Sequence, residues 1–90
     1  MKYVFKTPYK FEGKVYEEID LDLDSLKGSD MSAIKKQFTA MGHRSMAPVF
    51  DADYCALVAA KAAKLPIEFF NEMPAKDYVE VTATVTNFFA

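Results

Sequence analysis

Apolar and polar positions change their period twice along this chain. The first third is dense in Tyr, Val and Phe, residues that suit a pleated, half-buried surface. Two strands are expected there, over about residues 9–12 and 14–21. Glu12-Gly13 forms the tight turn between them, because glycine accepts positive φ. In the second strand Val15, Glu17, Ile19 and Leu21 share one face. Tyr16, Glu18 and Asp20 share the other, as a half-buried antiparallel strand requires. Pro8 cannot donate to a ladder and belongs at an edge or a strand start.

After Gly28-Ser29 the period lengthens. Met31, Ile34, Phe38 and Met41 recur at three- and four-residue spacing, which predicts a helix over 30–41. Ser29 or Asp30 can cap it and Gly42 is placed to end it. The connector HRSMAPVF contains Pro48, which opposes continuation of the helix. A second helix is expected over 52–64, opened by Asp51 or Asp53 and closed by Pro66. It is alanine-rich, and its small residues invite close approach by another helix.

The stretch LPIEFFNEMP crowds Leu65, Ile67, Phe69, Phe70 and Met73 between two prolines and predicts a short helix over 67–72. This much apolar surface either closes the core or serves as a surface for other chains. The last segment, DYVEVTATVTNFFA, fits two patterns. Val79, Val81, Ala83, Val85 and Phe89 alternate as a strand would, and β-branched residues favour that reading. Tyr78, Val81, Val85 and Phe88 or Phe89 equally mark one helix face. Pro74, Glu72 and Asp77 supply a helix N-terminal signal.

The fold class that follows is α+β: one domain over 1–90, with a β-hairpin in 1–22 and a helical body of three to four helices in 29–90. A chain of 90 residues leaves room for no second domain. It also buries only about 60–65% of its unfolded surface. Against that small core stand eight Phe, five Tyr and five Met. The surplus points toward contact with partners, for which aromatic and Met side chains are the usual anchors.

Charge and chemistry narrow the function. The net charge of −2 and the alternation of lysines with acids give no basic footprint for nucleic acid. No apolar run approaches the roughly 20 residues of a membrane span, and the N-terminus lacks a signal-peptide pattern. Cys55 is the only cysteine, so an intrachain disulfide is impossible. His43 is the only histidine. Its place after Gly42 suits capping of a helix C-terminus better than general-base work with Cys55. Asp20, Asp22 and Asp24 lack the glycine and distal glutamate of a calcium loop. No metal, cofactor or catalytic residue is expected, and the protein reads as a non-enzyme.

A strand pair of the form P…F-x-G-K…Y/I-x-x-I-x-L, a helical body and then the alanine-rich LVAAKAAKLPIEFFNEMPAKDYVEVTATVTNFF, together nearly the whole chain, resemble the small tail assembly chaperones of long-tailed bacteriophages and prophages, the group related to the E/41/14 tail proteins. The likeness rests on Ala59, Ala60 and Ala63, the break at Leu65-Pro66, the pair Phe69-Phe70, Met73, Asp77 opening a last helix, and Phe88-Phe89 near the end. The resemblance implies that 76–88 is a helix. It also implies a protein that coats the tape measure protein, helps recruit the tail tube protein around it, self-associates into oligomers, and stays in the host bacterial cytoplasm outside the mature virion. Phe69, Phe70, Met73, Phe88 and Phe89 are the candidate protein-binding residues. A small adaptor with one fixed protein partner is the other class consistent with these features.

Overall fold

The computed structural model describes residues 1–42 and 51–89. The expectations for His43 and Pro48 lie outside them. An antiparallel hairpin leads into four helices, so the α+β class stands. Strand β1 is Lys2–Phe11 and β2 is Lys14–Asp20; a 3-10 turn at Leu23–Ser25 follows. The helices are α1 (Gly28–Ala40), α2 (Ala52–Ala63), α3 (Ile67–Asn71) and α4 (Ala75–Phe89).

The hairpin turns at Glu12 and Gly13, both at positive φ (49° and 79°). That is the two-residue turn whose twist matches the strands it joins. Two expectations for the strands need correction. First, β1 begins at Lys2, well before residue 9. Thr7-Pro8 interrupts the pattern, but the strand continues through it by way of a bulge. The pairing Val4↔Glu18 gives way to Tyr9↔Tyr16, so β1 advances five positions while β2 advances two. Pro8 sits inside that surplus, where no ladder donor is needed.

Second, the buried face of β2 changes parity. The surplus of three residues is odd, and a one-residue slip already exchanges the two faces of a strand. Ile19 is therefore buried opposite Tyr3, whereas farther along Tyr16 is the residue turned inward and Val15 is 58% exposed. Leu21 is fully buried as expected.

Helix α2 is the centre of the body. Every residue from Tyr54 to Ala60 is buried. Asp51 caps it, accepting from the Asp53 and Tyr54 amides at 2.9 and 3.4 Å. It ends on Lys64 in the left-handed region (φ 58°), and the Leu65 amide then donates back to the Ala60 carbonyl at 3.1 Å. Its alanines let α4 pack closely along one side. On another, α1 packs through Ile34 and Phe38, whose ring meets Tyr54 edge to face at 5.3 Å. Met41 from the same expected stripe is exposed, one residue past the end of α1. Asp30 steadies the start of α1 from inside its first turn, accepting from the Lys27 amide at 2.9 Å. Gly42, at φ 88°, follows the last turn as the sequence required.

The last segment is helix from Ala75 to Phe89 in spite of its β-branched residues. Val81 and Val85 are buried in one stripe. Thr82 and Thr84 return their hydroxyls to carbonyls of the preceding turn, Tyr78 at 2.9 Å and Glu80 at 2.8 Å. Those side chains are thus satisfied within the helix.

Candidate interaction surface

The structure separates the five candidate binding residues into two groups. Phe69 and Phe70 are fully buried and Met73 nearly so. Of the two readings of LPIEFFNEMP, core closure is the one realised, and these three residues offer no surface in this fold. Phe69 is the hub of the hairpin's attachment. Its ring lies 4.8 Å from Tyr16, 5.0 Å from Tyr9 and 5.3 Å from Phe11, mostly edge to face. Tyr9 also donates its hydroxyl to the Phe69 carbonyl at 2.8 Å. The five-residue α3 is thereby clamped to the sheet through both side chain and backbone.

Phe88 and Phe89 remain at the surface, 37% and 38% exposed, stacked edge to face at 5.1 Å. The outer side of α4 adds a residue that the pattern did not single out as a surface. Val79 is 63% exposed. Shallow depressions flank it, one lined by Lys6, Lys76 and Glu80, the other by Asp53, Asn71 and Tyr78. Lys76, Ala83 and Asn87 share this exposed side. The signal was present in the helical reading of the segment. Val79 falls off the Val81–Val85 stripe, and an apolar residue there has no core to enter.

A polar staple fixes this helix to the hairpin. Asp77 is 2% exposed, in the first turn of α4. Its Oδ1 accepts from the Tyr3 hydroxyl at 2.5 Å and, more distantly, from the Lys6 amide at 3.4 Å. Burial and the bond to Asp77 push the Tyr3 phenol well above its usual range. One turn on, Glu80 pairs with Lys6 at 2.8 Å and also takes a 3.2 Å contact from Tyr3. On the far side of Val79, Tyr78 donates to Asp53 at 3.0 Å, and burial raises that phenol too. Burial likewise pushes the Cys55 thiol up, with Thr86 at 3.3 Å opposing the shift. A raised thiol in an apolar setting behaves as a small hydrophobe.

The Lys6 bond holds the Glu80 carboxyl below its ordinary value of 4.5. The folded state therefore binds its proton more weakly than the unfolded chain. That contribution is present above the unfolded pKa and is lost as pH falls through the lowered folded value. NMR titration is expected to show Glu80 titrating below its ordinary value of 4.5, and Lys6→Met should raise it back toward that value. An unchanged Glu80 midpoint in Lys6→Met would refute the pairing.

Among the described residues no group of three or more His, Cys, Asp or Glu is placed to hold a metal ion. No described helix is long and apolar enough to cross a membrane. What they do present is a small α+β domain with apolar side chains displayed on its last helix, the makings of an interaction module. The chain belongs to the family of phage tail assembly chaperone proteins, E, or 41 or 14, whose model matches residues 2–90. No curated protein matches it, and no solved structure does.

Proposed function

We propose that this chaperone binds the tape measure protein and keeps it soluble, and that it helps recruit the tail tube protein during tail morphogenesis. It acts by contact and not by catalysis, in the host bacterial cytoplasm, and leaves before the virion is complete. Membership of the family over residues 2–90 carries this reading. The exposed side of α4 around Val79 supports it. A long helical client with apolar stripes needs many small covers, each too weak alone to be permanent. A single exposed valine in a shallow, partly charged setting has that character.

Co-expression with the tape measure protein encoded in the same genome tests the proposal. The client is expected to be insoluble alone and soluble with many copies of this chain. Val79→Asp should weaken capture by roughly ten- to a hundredfold, the equivalent of losing one buried valine contact (~1.5–3 kcal/mol), with the fold intact by circular dichroism. A client that is equally soluble without the chaperone would overturn the proposal. Full capture by Val79→Asp would move the contact away from this side of α4.

A further inference from the structure

The hairpin has two edges, and they are not alike. In an antiparallel pair, opposed residues alternate between exchanging their backbone bonds and turning them outward. The Leu21 amide donates to the Met1 carbonyl at 2.7 Å, and the register makes Tyr3 and Ile19 the next bonded pair. Lys2 and Val4 of β1, and Glu18 and Asp20 of β2, therefore turn their N–H and C=O groups away from the partner strand.

On the β1 side α4 closes in. The Lys6 amide donates to Asp77, and the Lys6 ammonium pairs with Glu80. Pro8 and the bulge interrupt this edge farther along, and Lys2, Lys6 and Lys10 lie on it. Lysines, proline, a bulge and a covering helix are the devices that keep an edge strand from pairing. Over Glu18–Asp20 the edge of β2 has none of them. Val15, Glu17, Glu18 and Asp20 are all exposed, and among the described residues the sheet has no third strand. No backbone partner among the described residues reaches the outward groups of Glu18 or Asp20.

The charge along this edge has one sign. Residues 12–24 hold six acids and one lysine, a charge of −5 in a chain whose total is −2. From the β1 side Lys2 engages Glu18 at 3.0 Å and the terminal amine engages Asp20 at 3.4 Å. Both pairs are exposed, and such pairs contribute little. Glu17, Asp22 and Asp24 form no ion pair among the described residues. A second copy of the same edge is excluded as the occupant, because it would set like charges opposite.

We infer that the Glu18–Asp20 edge takes a short basic segment of another protein as a third strand. In such an addition the main-chain bonds hold the segment and its alternate side chains select it. Residues two apart on a strand share one face. A Lys/Arg-x-Lys/Arg spacing therefore sets one cation beside Glu18 and the next beside Asp20, with both ladder positions filled. Strand β1 lies between this edge and the first turns of α4, so the contact is separate from the one around Val79, and both can be made at once.

The acetylated and amidated peptide TKVKVKT, added to the isotope-labelled chain with no client present, tests the inference by NMR. The amides of Glu18 and Asp20 are expected to shift and to exchange with solvent more slowly. Methylating the backbone nitrogens of the peptide's lysines keeps every charge and removes the ladder donors. That peptide should bind roughly tenfold more weakly or worse, as the loss of two or three hydrogen bonds requires. Glu18→Lys/Asp20→Lys should lose TKVKVKT and accept TEVEVET instead. Should this variant fail to fold, the methylated peptide decides alone, since it leaves the protein unchanged. No binding of TKVKVKT, shifts confined to residues away from β2, or equal binding of the methylated peptide (charge attraction only) would each overturn the inference and leave the capture experiment untouched.

Discussion

Phe69→Ala is expected to cost about 3–5 kcal/mol of folding stability, as truncation of a fully buried phenylalanine does. At roughly 0.05–0.15 kcal/mol per residue, a domain of this size has only about 5–13 kcal/mol in total. The loss is at the upper end because Phe69 has no spare neighbour. Phe5, Tyr9, Phe11, Tyr16 and Phe70 all pack against its ring, drawn from both strands and from its own helix. A small domain with little buried surface has few ways to collapse into such a void. Urea denaturation should show a large fall in midpoint with loss of tyrosine near-ultraviolet ellipticity, and Phe69→Leu should recover part of both. A Phe69→Ala protein of wild-type stability that failed only in assembly would restore the residue to the surface role that its sequence context also allowed.

The second large effect is expected at Asp77. Truncation to alanine leaves the buried Tyr3 hydroxyl without its closest partner and removes an acidic side chain from the first turn of α4. A hydrogen bond to an acidic group contributes about 1.5–3 kcal/mol, and without Asp77 the Tyr3 hydroxyl keeps only its longer 3.2 Å bond to Glu80. The expected loss for Asp77→Ala is therefore about 2–3 kcal/mol. Tyr3→Phe removes the other partner of the bond and should cost less, because Asp77 keeps the Lys6 amide. The double mutant should be more stable than the two losses added together predict, with a coupling of about 1–2 kcal/mol. Strictly additive losses by chemical denaturation would show that the staple carries no energy of its own.

These two sites also show how far the sequence could be read. The helices were legible where period and punctuation agreed. Ile34 and Phe38 at four-residue spacing, Asp51 before an alanine run, Gly42 and Pro66 at the ends are local signals, and each element formed where they placed it. The hairpin turn at Glu12-Gly13 was legible for the same reason. The bulge was not, because its cause is not local. Three extra residues in β1 reverse which side of β2 faces inward, and nothing in β2 itself records the surplus.

The tail segment lay between. Its residues fit a strand by propensity and a helix by spacing, and the family likeness, with Asp77 at the start, favoured the helix. The structure supplies the physical reason. As a helix, the segment sets Val81 and Val85 together against the buried body and satisfies its threonines internally. Propensity is a weak preference that such packing overrides.

By itself the sequence determined the class of fold, the hairpin turn and the places of the first three helices. These follow from local period, capping residues and composition. Only the tertiary structure decided which aromatics are core and which are surface. LPIEFFNEMP and the Phe88-Phe89 end are equally apolar as text. One is enclosed because Tyr16, Tyr9 and Phe11 arrive on it from a hairpin some fifty to sixty positions away, and the other, at the end of α4, stays more than a third exposed. Burial depends on what other segments bring to a residue, and that is fixed only when the chain has closed on itself.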